Sequence, residues 1–285
     1  ASNARVDMRY VAGEENPAAY ANPVPMPTFR SLPAATGEPL SVLPEGQRQD
    51  PPGPGMVPSV ERPAIVERDL ANGVSIVAAQ TGDVPIATMT VLVPGGSISD
   101  PRMKAGLANM AASIADQGTA EMSAQEIAQK LESLGASFGA TAGAEGSFFS
   151  LTAPVANMAE AGEVLAAVIK GATYPEDAFE RERKRAIDGL AVSLKDPGAL
   201  ASMVARPVLY GDAPYGTLPG GTQASLASLT REDLIRHRET YWHPARTKVI
   251  VSGGIAPEQA VALTNALFGD WQVASAPPAE IAEPT

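Results

Sequence analysis

Residues 86–115, IATMTVLVPGGSISDPRMKAGLANMAASIA, contain the two patterns that decide the fold class. The first eight residues are β-branched and apolar, which is typical of a strand, and Pro94-Gly95-Gly96 ends that strand. Residues 105–115 are rich in helix formers and place apolar side chains at helical spacing. The stretch therefore predicts a strand, a glycine turn and a helix in succession.

Strands and helices occur in clusters on both sides of this stretch. Strands are predicted at 65–70 and 74–77, joined by the hairpin dipeptide Asn72-Gly73, and at 137–141, 148–152 and 248–252. Helices are predicted at 124–134, after the capping box Ser123 to Glu126, and at 158–169, 175–194, 200–210, 230–241 and 257–268. This clustering predicts an α+β fold with an antiparallel or mixed sheet and helices packed on one face.

The helix at 175–194 carries three more specific expectations. Thr173 and Glu176 have the spacing of a capping box. The apolar side chains expected to be buried are Phe179, Ile187, Leu190 and Leu194. The run 180–185, ERERKR, alternates in charge, and we interpret it as a solvated helix face with i,i+4 ion pairs, with a binding site as the alternative.

Proline content divides the chain. Residues 1–62 are rich in proline and predict either a flexible linker or an ordered strap on a globular body. Residues 63–271 form the predicted α+β domain, and residues 272–285 a linker-like C-terminal end. The opening Ala1-Ser2-Asn3-Ala4 is typical of a cloning scar, so we expect the chain to be a piece of a longer protein.

Composition excludes several classes of function. The 285 residues carry a net charge of −11, which disfavours nucleic acid and anionic membranes as partners. No apolar run is long enough for a membrane span, so membrane insertion is not expected. The chain has no cysteine, which excludes disulfides, thiolate metal sites and thiol nucleophiles.

The remaining motifs give no support for a catalytic site. Gly95-Gly96 and Gly220-Gly221 lack the lysine and spacing of phosphate-binding loops, and we interpret both as turns. His237 and His243 are six residues apart, which does not place them together on one helix face for zinc. No Gly-x-Ser-x-Gly elbow accompanies the serines.

The order of short motifs is the more specific signal. They include Leu70-Ala71-Asn72-Gly73, Val93-Pro94-Gly95-Gly96, Gly106-Leu107-Ala108, Leu131-Glu132-Ser133-Leu134-Gly135, Phe179-Glu180-Arg181-Glu182-Arg183, Pro214-Tyr215-Gly216 and Phe268-Gly269-Asp270-Trp271. From residue 65 to residue 271 this order resembles one domain of the pitrilysin/insulinase zinc peptidases, the inverzincins.

The resemblance also indicates where zinc ligands would stand. In an active member, Gly-Leu-Ala precedes His-x-x-Glu-His, whose histidines bind zinc and whose glutamate activates water. The corresponding residues here are Asn109, Ala112 and Ser113, and a third ligand, a glutamate, is expected near Gly189. The resemblance therefore implies four vacated positions, no metal or catalytic residue in this chain, and zinc only in a partner half.

The family resemblance implies a role as well. We expect a non-catalytic domain of a zinc metalloendopeptidase that closes the peptide chamber, helps to bind peptide substrate and assembles with the zinc-bearing half, in the same chain or a separate subunit. The alternative is a structural or assembly subunit without a peptidase partner, like the core proteins of respiratory complexes. An independent enzyme with unrelated chemistry is a third reading.

Two further expectations concern compartment and assembly. The resemblance implies a periplasmic location, while the composition is equally compatible with the cytoplasm. The isolated domain is expected to expose an apolar patch and to self-associate as a homo-oligomer.

Overall fold

The computed structural model describes residues 43–48, 53, 55 and 63–273. The chain divides after Ser59 into two units. Residues 1–62 and 272–285 lie largely outside the described residues, so the linker, strap and domain-boundary assignments stay predictions.

The centre of the domain is a six-stranded mixed sheet. Its strands are β1 (Ile65–Asp69), β2 (Ser75–Gln80), β3 (Ile86–Pro94), β4 (Ser137–Ala142), β5 (Gly146–Pro154) and β6 (Lys248–Gly253). Their order across the sheet is β1-β2-β6-β3-β5-β4. The β2–β6 pair is parallel and the other neighbouring pairs are antiparallel. The predicted α+β class with a mixed sheet is therefore confirmed.

The described residues form eight α-helices, of which the first, second, third and last pack against the sheet. They are α1 (Leu107–Ser113), α2 (Ala124–Ser133), α3 (Met158–Gly171), α4 (Glu176–Ser193), α5 (Pro197–Tyr210), α6 (Gln223–Ser228), α7 (Arg231–Tyr241) and α8 (Pro257–Phe268). Burial alternates along β3 and β5, where Met89, Val91, Phe149 and Leu151 point into the core with the helices. On the opposite, half-exposed face, Thr88 and Thr152 share a hydrogen bond of 2.8 Å.

Side-chain caps define several helix starts. Ser123 Oγ accepts the backbone N–H of Glu126, whose carboxylate accepts the N–H of Ser123 at 2.8 Å, which confirms the predicted box before α2. Thr230 caps α7 through a similar box with Asp233. Because each box satisfies two N–H groups that lack a partner inside the helix, these starts are encoded locally.

Two expectations for α4 are wrong. Its N-cap is Pro175, which makes no side-chain cap, so Thr173 and Glu176 form no capping box. Instead, Arg231 donates hydrogen bonds to the carbonyl oxygens of Thr173 and Tyr174, at 2.9 and 2.7 Å, just before the helix begins. Leu194 is also 46% exposed, not buried, at the C-terminal end of α4.

The link between β1 and β2 is longer than the predicted one, which left residues 71–73 between strands at 65–70 and 74–77. The first strand pair closes at Asp69 and Ser75, so five residues separate the strands. Asn72 uses its side-chain amide to donate to the carbonyl oxygens of Phe268 and Trp271, at 2.7 and 3.0 Å. The asparagine therefore fastens this loop to the end of α8.

Candidate functional site

The N-terminus of α1 is held by a buried carboxylate. Asp100 is 6% exposed and accepts the backbone N–H groups of Gly106 and Ala108, at 2.9 and 3.0 Å. Burial raises the pKa of Asp100 to about 7, while the backbone N–H groups act in the opposite direction. Gly106 has a φ of +94°, which favours glycine at the start of the helix.

The loop before Asp100 is held by α7. His237 is 3% exposed, and its Nε2 lies 3.1 Å from the carbonyl oxygen of Gly95. Burial lowers the pKa of His237 to about 4, so the ring is neutral near pH 7 and donates from Nε2. A Cβ at Gly95 would stand 2.4 Å from Cβ of Tyr241, so only glycine fits between the loop and α7.

An open groove of about 680 Å³ lies between α1 and α4. Asn109 and Ser113, one helical turn apart on α1, line it on one side. Arg181, Glu182 and Arg185 of α4 line the other side. Residues Asp116, Gln117, Met203 and Gly220 also contribute to the lining.

The structure brings together only some of the four positions predicted to be vacated. Asn109 and Ser113 share the groove. Ala112 is fully buried and does not line the groove. Gly189 is exposed on α4 and does not line it either, although its neighbours Ala186 and Leu190 do. The assignment of all four as former zinc and base positions stays a prediction.

Several polar groups of the groove have partners within the protein. Ser113 Oγ donates to the carbonyl oxygen of Met110 at 3.1 Å. Arg181 donates to the side chain of Gln117 at 3.0 Å, and Arg185 lies 3.7 Å from Glu182. The groove therefore offers an amide, a hydroxyl and paired charges to a ligand.

This donor set does not fit zinc. A zinc site needs at least three protein ligands, drawn from histidine, cysteine and carboxylate side chains. Among the residues that the structure describes, no three such side chains are grouped so that they could hold a metal ion. The two histidines have separate roles, because His237 contacts Gly95 and His243 accepts the backbone N–H of Ala245 at 3.1 Å.

Sequence reasoning missed the α4 side of the groove. Within the run 180–185 the ion pairs are three residues apart, among them Glu180 with Arg183 at 2.5 Å. The expected i,i+4 pairs join Arg181 to Asp177 and Lys184 to Asp188, whose carboxylates lie outside the run, at 3.8 and 2.6 Å. However, Arg181, Glu182 and Arg185 also face the groove, so the run is not solely a solvated face. Ala178 and these three residues stand at positions i, i+3, i+4 and i+7, a spacing that places them on one face of α4 and could have identified the face towards the groove.

Comparison with known families matches most of this domain. The model "Insulinase (Peptidase family M16)" matches residues 75–206, and the model "Peptidase M16 inactive domain" matches residues 228–285. The chain belongs to peptidase family M16. The first match contains both α1 and α4 and all of the groove-lining residues except Gly220.

Curated relatives of this M16 chain include zinc proteases. An uncharacterized zinc protease of Mycobacterium leprae is 25% identical over 217 residues, which are 75% of this chain and 49% of the relative. The mitochondrial-processing peptidase subunit beta of Rattus norvegicus is 24% identical over 246 residues, 85% of this chain and 49% of the relative. The chain spans about half the length of the curated relatives it matches.

Solved structures share the fold. The peptidase M16 inactive domain from Pseudomonas fluorescens aligns with a TM-score of 0.73 at 23% identity, covering 78% of this chain and 54% of that chain. The periplasmic protease PqqL from Escherichia coli aligns with a TM-score of 0.69 at 18% identity, covering 79% and 26%. Within the described part of this chain, helices fall short of the length and apolarity that a bilayer crossing requires.

Proposed function

We propose that this chain is a non-catalytic domain of an M16 zinc metalloendopeptidase and that zinc is held by a partner half. The observation that carries the proposal is the groove between α1 and α4. Asn109 and Ser113 face Arg181, Glu182 and Arg185 there, a set that lacks three metal ligands. Similarity to an inactive domain of the same family supports the proposal.

The role of such a domain is to close a peptide chamber and to help bind the substrate. Strand β4 is the candidate for peptide contact because it ends the sheet and, among the described strands, pairs with β5 alone. Its sequence, SFGATA, has neither charge nor proline, the residues that usually protect a sheet edge from pairing. An extended peptide would add to β4 as a further strand, beside α1, which packs against β4.

Two relatives support a proposal for the partner and the compartment. One relative is a subunit of a processing peptidase, and one structural neighbour is a periplasmic protease. We extend these properties to this chain as a proposal: assembly with a zinc-bearing half, in the same polypeptide or as a separate subunit, in the periplasm.

The catalytic part of the proposal is tested with residues 1–285 alone. The chain is incubated with Zn²⁺ and a fluorogenic peptide pool, with and without EDTA. The expected result is no cleavage above a buffer control. Cleavage that follows the protein through purification and is abolished by EDTA would refute the non-catalytic assignment.

The peptide-binding part needs a second experiment. Hydrogen exchange is measured with and without an unlabelled pool of extended peptides. We expect slower exchange at backbone amides of β4, while β1, the charged strand at the other end of the sheet, serves as the internal control. No slowing at β4, or equal slowing at β1, would contradict peptide addition and favour the alternative of an assembly subunit without a peptidase partner.

A further inference from the structure

Asn72 and Gly73 form the one Asn-Gly pair in the 285-residue sequence. Asparagine followed by glycine is the pair most prone to spontaneous deamidation, because a residue without a Cβ lets its backbone nitrogen approach the asparagine side chain closely. The other six asparagines precede alanine, methionine or proline, and proline has no N–H at all. The pair lies in the link between β1 and β2, where Asn72 is half-buried and Gly73 is exposed. This dipeptide is therefore a reactive pair at a position that solvent reaches.

The folded chain fixes the side-chain amide of Asn72. Its nitrogen, the leaving group in deamidation, donates hydrogen bonds to the carbonyl oxygens of Phe268 and Trp271, at 2.7 and 3.0 Å. Its Oδ1 accepts the backbone N–H of Val74 at 3.3 Å. Any rotation of the amide towards the nitrogen of Gly73 must break these bonds, and it would leave two carbonyl oxygens at the end of α8 without this donor.

The backbone nitrogen of Gly73 is held as well. Its N–H donates to the carbonyl oxygen of Leu70 at 2.9 Å, and the nitrogen becomes a nucleophile only after that proton passes to a base in the solvent. Gly73 has a φ of +91°, and a Cβ there would stand 2.7 Å from Cα of Ala245, so the backbone has little room to turn. Deamidation therefore requires the link between β1 and β2 to open and to detach from α8.

We propose that Asn72 is a deamidation site that reacts only while the link between β1 and β2 is detached from α8. The deprotonated nitrogen of Gly73 then forms a bond with Cγ of Asn72, and the side-chain nitrogen takes a proton from water and leaves as ammonia. Water adds to one of the two carbonyl carbons of the cyclic succinimide and breaks the bond from that carbon to the ring nitrogen, which takes up a proton. The product is aspartate or isoaspartate at position 72, and water is the only co-reactant.

The product does not fit the place that the amide occupied. An ionised carboxylate has no hydrogen to donate, so the carbonyl oxygens of Phe268 and Trp271 lose their donor and face a negative charge. Phe268 is the last residue of α8, and the C-terminus of a helix disfavours negative charge. Isoaspartate also routes the backbone through the former side chain, which lengthens the backbone by one carbon. Deamidation therefore opposes renewed docking, and a transient opening of the link becomes a lasting one.

The rate of deamidation tests whether the fold controls the reaction. The chain is incubated at mildly alkaline pH, either folded or unfolded in urea, and each asparagine is followed by mass spectrometry of its peptide. A synthetic peptide of residues 68–78, incubated with and without urea, corrects for the effect of urea on the chemistry. In the unfolded chain we expect Asn72 to convert at least about tenfold faster than Asn109, which precedes methionine.

The folded chain gives the deciding comparison. Folding is expected to slow the conversion of Asn72 at least about 100-fold, the factor that corresponds to an opening free energy of about 2.8 kcal/mol. Equal rates for Asn72 in the folded and the unfolded chain would overturn the proposed control by the fold. Conversion of Asn72 no faster than that of Asn109 in urea would overturn its assignment as the reactive site.

A pair of variants tests the consequence of the reaction. N72D reproduces the aspartate product and is expected to raise the equilibrium constant for unfolding in urea at least about tenfold. The matched control is N265D, which places the same charge at an exposed residue one turn before the end of α8 and is expected to change that constant less than about threefold. Circular dichroism establishes that each variant is folded. Equal effects of the two variants, or an N72D chain as stable as the wild type, would refute the proposed loss of docking.

Discussion

Replacing the buried imidazole of His237 tests whether its contact with the loop before α1 stabilises the folded protein. Its Nε2 contacts the carbonyl oxygen of Gly95, in the loop that leads to Asp100 and α1. The ring is neutral in the folded protein because burial lowers its pKa from the ordinary value of 6.5 to about 4. Replacement by glutamine keeps a neutral N–H donor of similar reach but removes the titration.

The sign and size of the effect follow from proton linkage. Between pH 6.5 and pH 4 the unfolded chain binds a proton at His237 and the folded chain does not. The contribution of His237 to the unfolding free energy is therefore complete above pH 6.5 and is lost as the pH falls towards 4. At about 1.4 kcal/mol per pH unit, the stabilisation that the wild type draws from His237 falls by roughly 3 kcal/mol across this range. H237Q does not undergo this loss.

The experiment combines nuclear magnetic resonance with urea unfolding. With only two histidines in the chain, the imidazole signals of His237 are identified as those that disappear in H237Q. We expect them to titrate near pH 4, and the difference in unfolding free energy between wild type and H237Q to shift by roughly 3 kcal/mol in favour of H237Q between pH 7 and pH 4. The reasoning would be refuted if His237 titrated near pH 6.5 and the difference in unfolding free energy between wild type and H237Q stayed constant from pH 7 to pH 4.

Three further outcomes are expected. D100N turns one amide hydrogen towards the N–H groups of Gly106 and Ala108 and costs about 1–3 kcal/mol by urea unfolding. Because burial raises the pKa of Asp100 from 3.8 to about 7, the stability that Asp100 provides falls as the pH rises, and this cost is larger at pH 5 than at pH 8. G95A, whose Cβ would lie 2.4 Å from Tyr241, is expected to lower the unfolding free energy by more than about 2 kcal/mol. In the same assay G189A, whose added Cβ has no atom within 4 Å, is expected to raise the unfolding free energy by roughly 0.5–1 kcal/mol, because alanine favours helix α4. N109H/S113H places two imidazoles opposite Glu182 and is expected to bind Zn²⁺ at least about tenfold more tightly than N109H alone in a chelator competition; equal affinities would count against the vacated positions.

Local signals predicted most of the elements of this fold. The capping residues at Ser123 and Thr230 and the alternation along β3 act over a few residues, so the sequence displays them directly. The order of the sheet is different, because β6 inserts between β2 and β3 after a connection of more than ninety residues from β5. No local pattern encodes such a pairing. The start of α4 agrees with the prediction to within one residue, but the predicted capping box was wrong, and the carbonyl oxygens of Thr173 and Tyr174 instead accept hydrogen bonds from Arg231, far along the chain.

The sequence predicted one side of the candidate groove, on α1, but not the other side, on α4. Asn109 and Ser113 could be placed on one helix face by their spacing, and the structure puts both in the groove. The position facing them on α4 could not be read in the same way. Gly189 was selected by its distance along the chain, whereas the relative rotation of α1 and α4 brings Arg181, Glu182 and Arg185 to the groove. Rotation depends on packing against the sheet and other helices, which a single sequence does not specify.

The loop before α1 links two buried groups whose pH dependence has opposite sign. From pH 4 to pH 6.5, His237 makes the folded state gain stability as the pH rises, and Asp100 makes it lose stability. Because each group changes stability by about 1.4 kcal/mol per pH unit, their contributions cancel in the wild type over this range. H237Q should therefore reveal a decline in stability with rising pH, and D100N a rise. D100N/H237Q should remove both trends together. A double variant that retained the slope of either single variant would show that these two groups do not titrate as their burial requires.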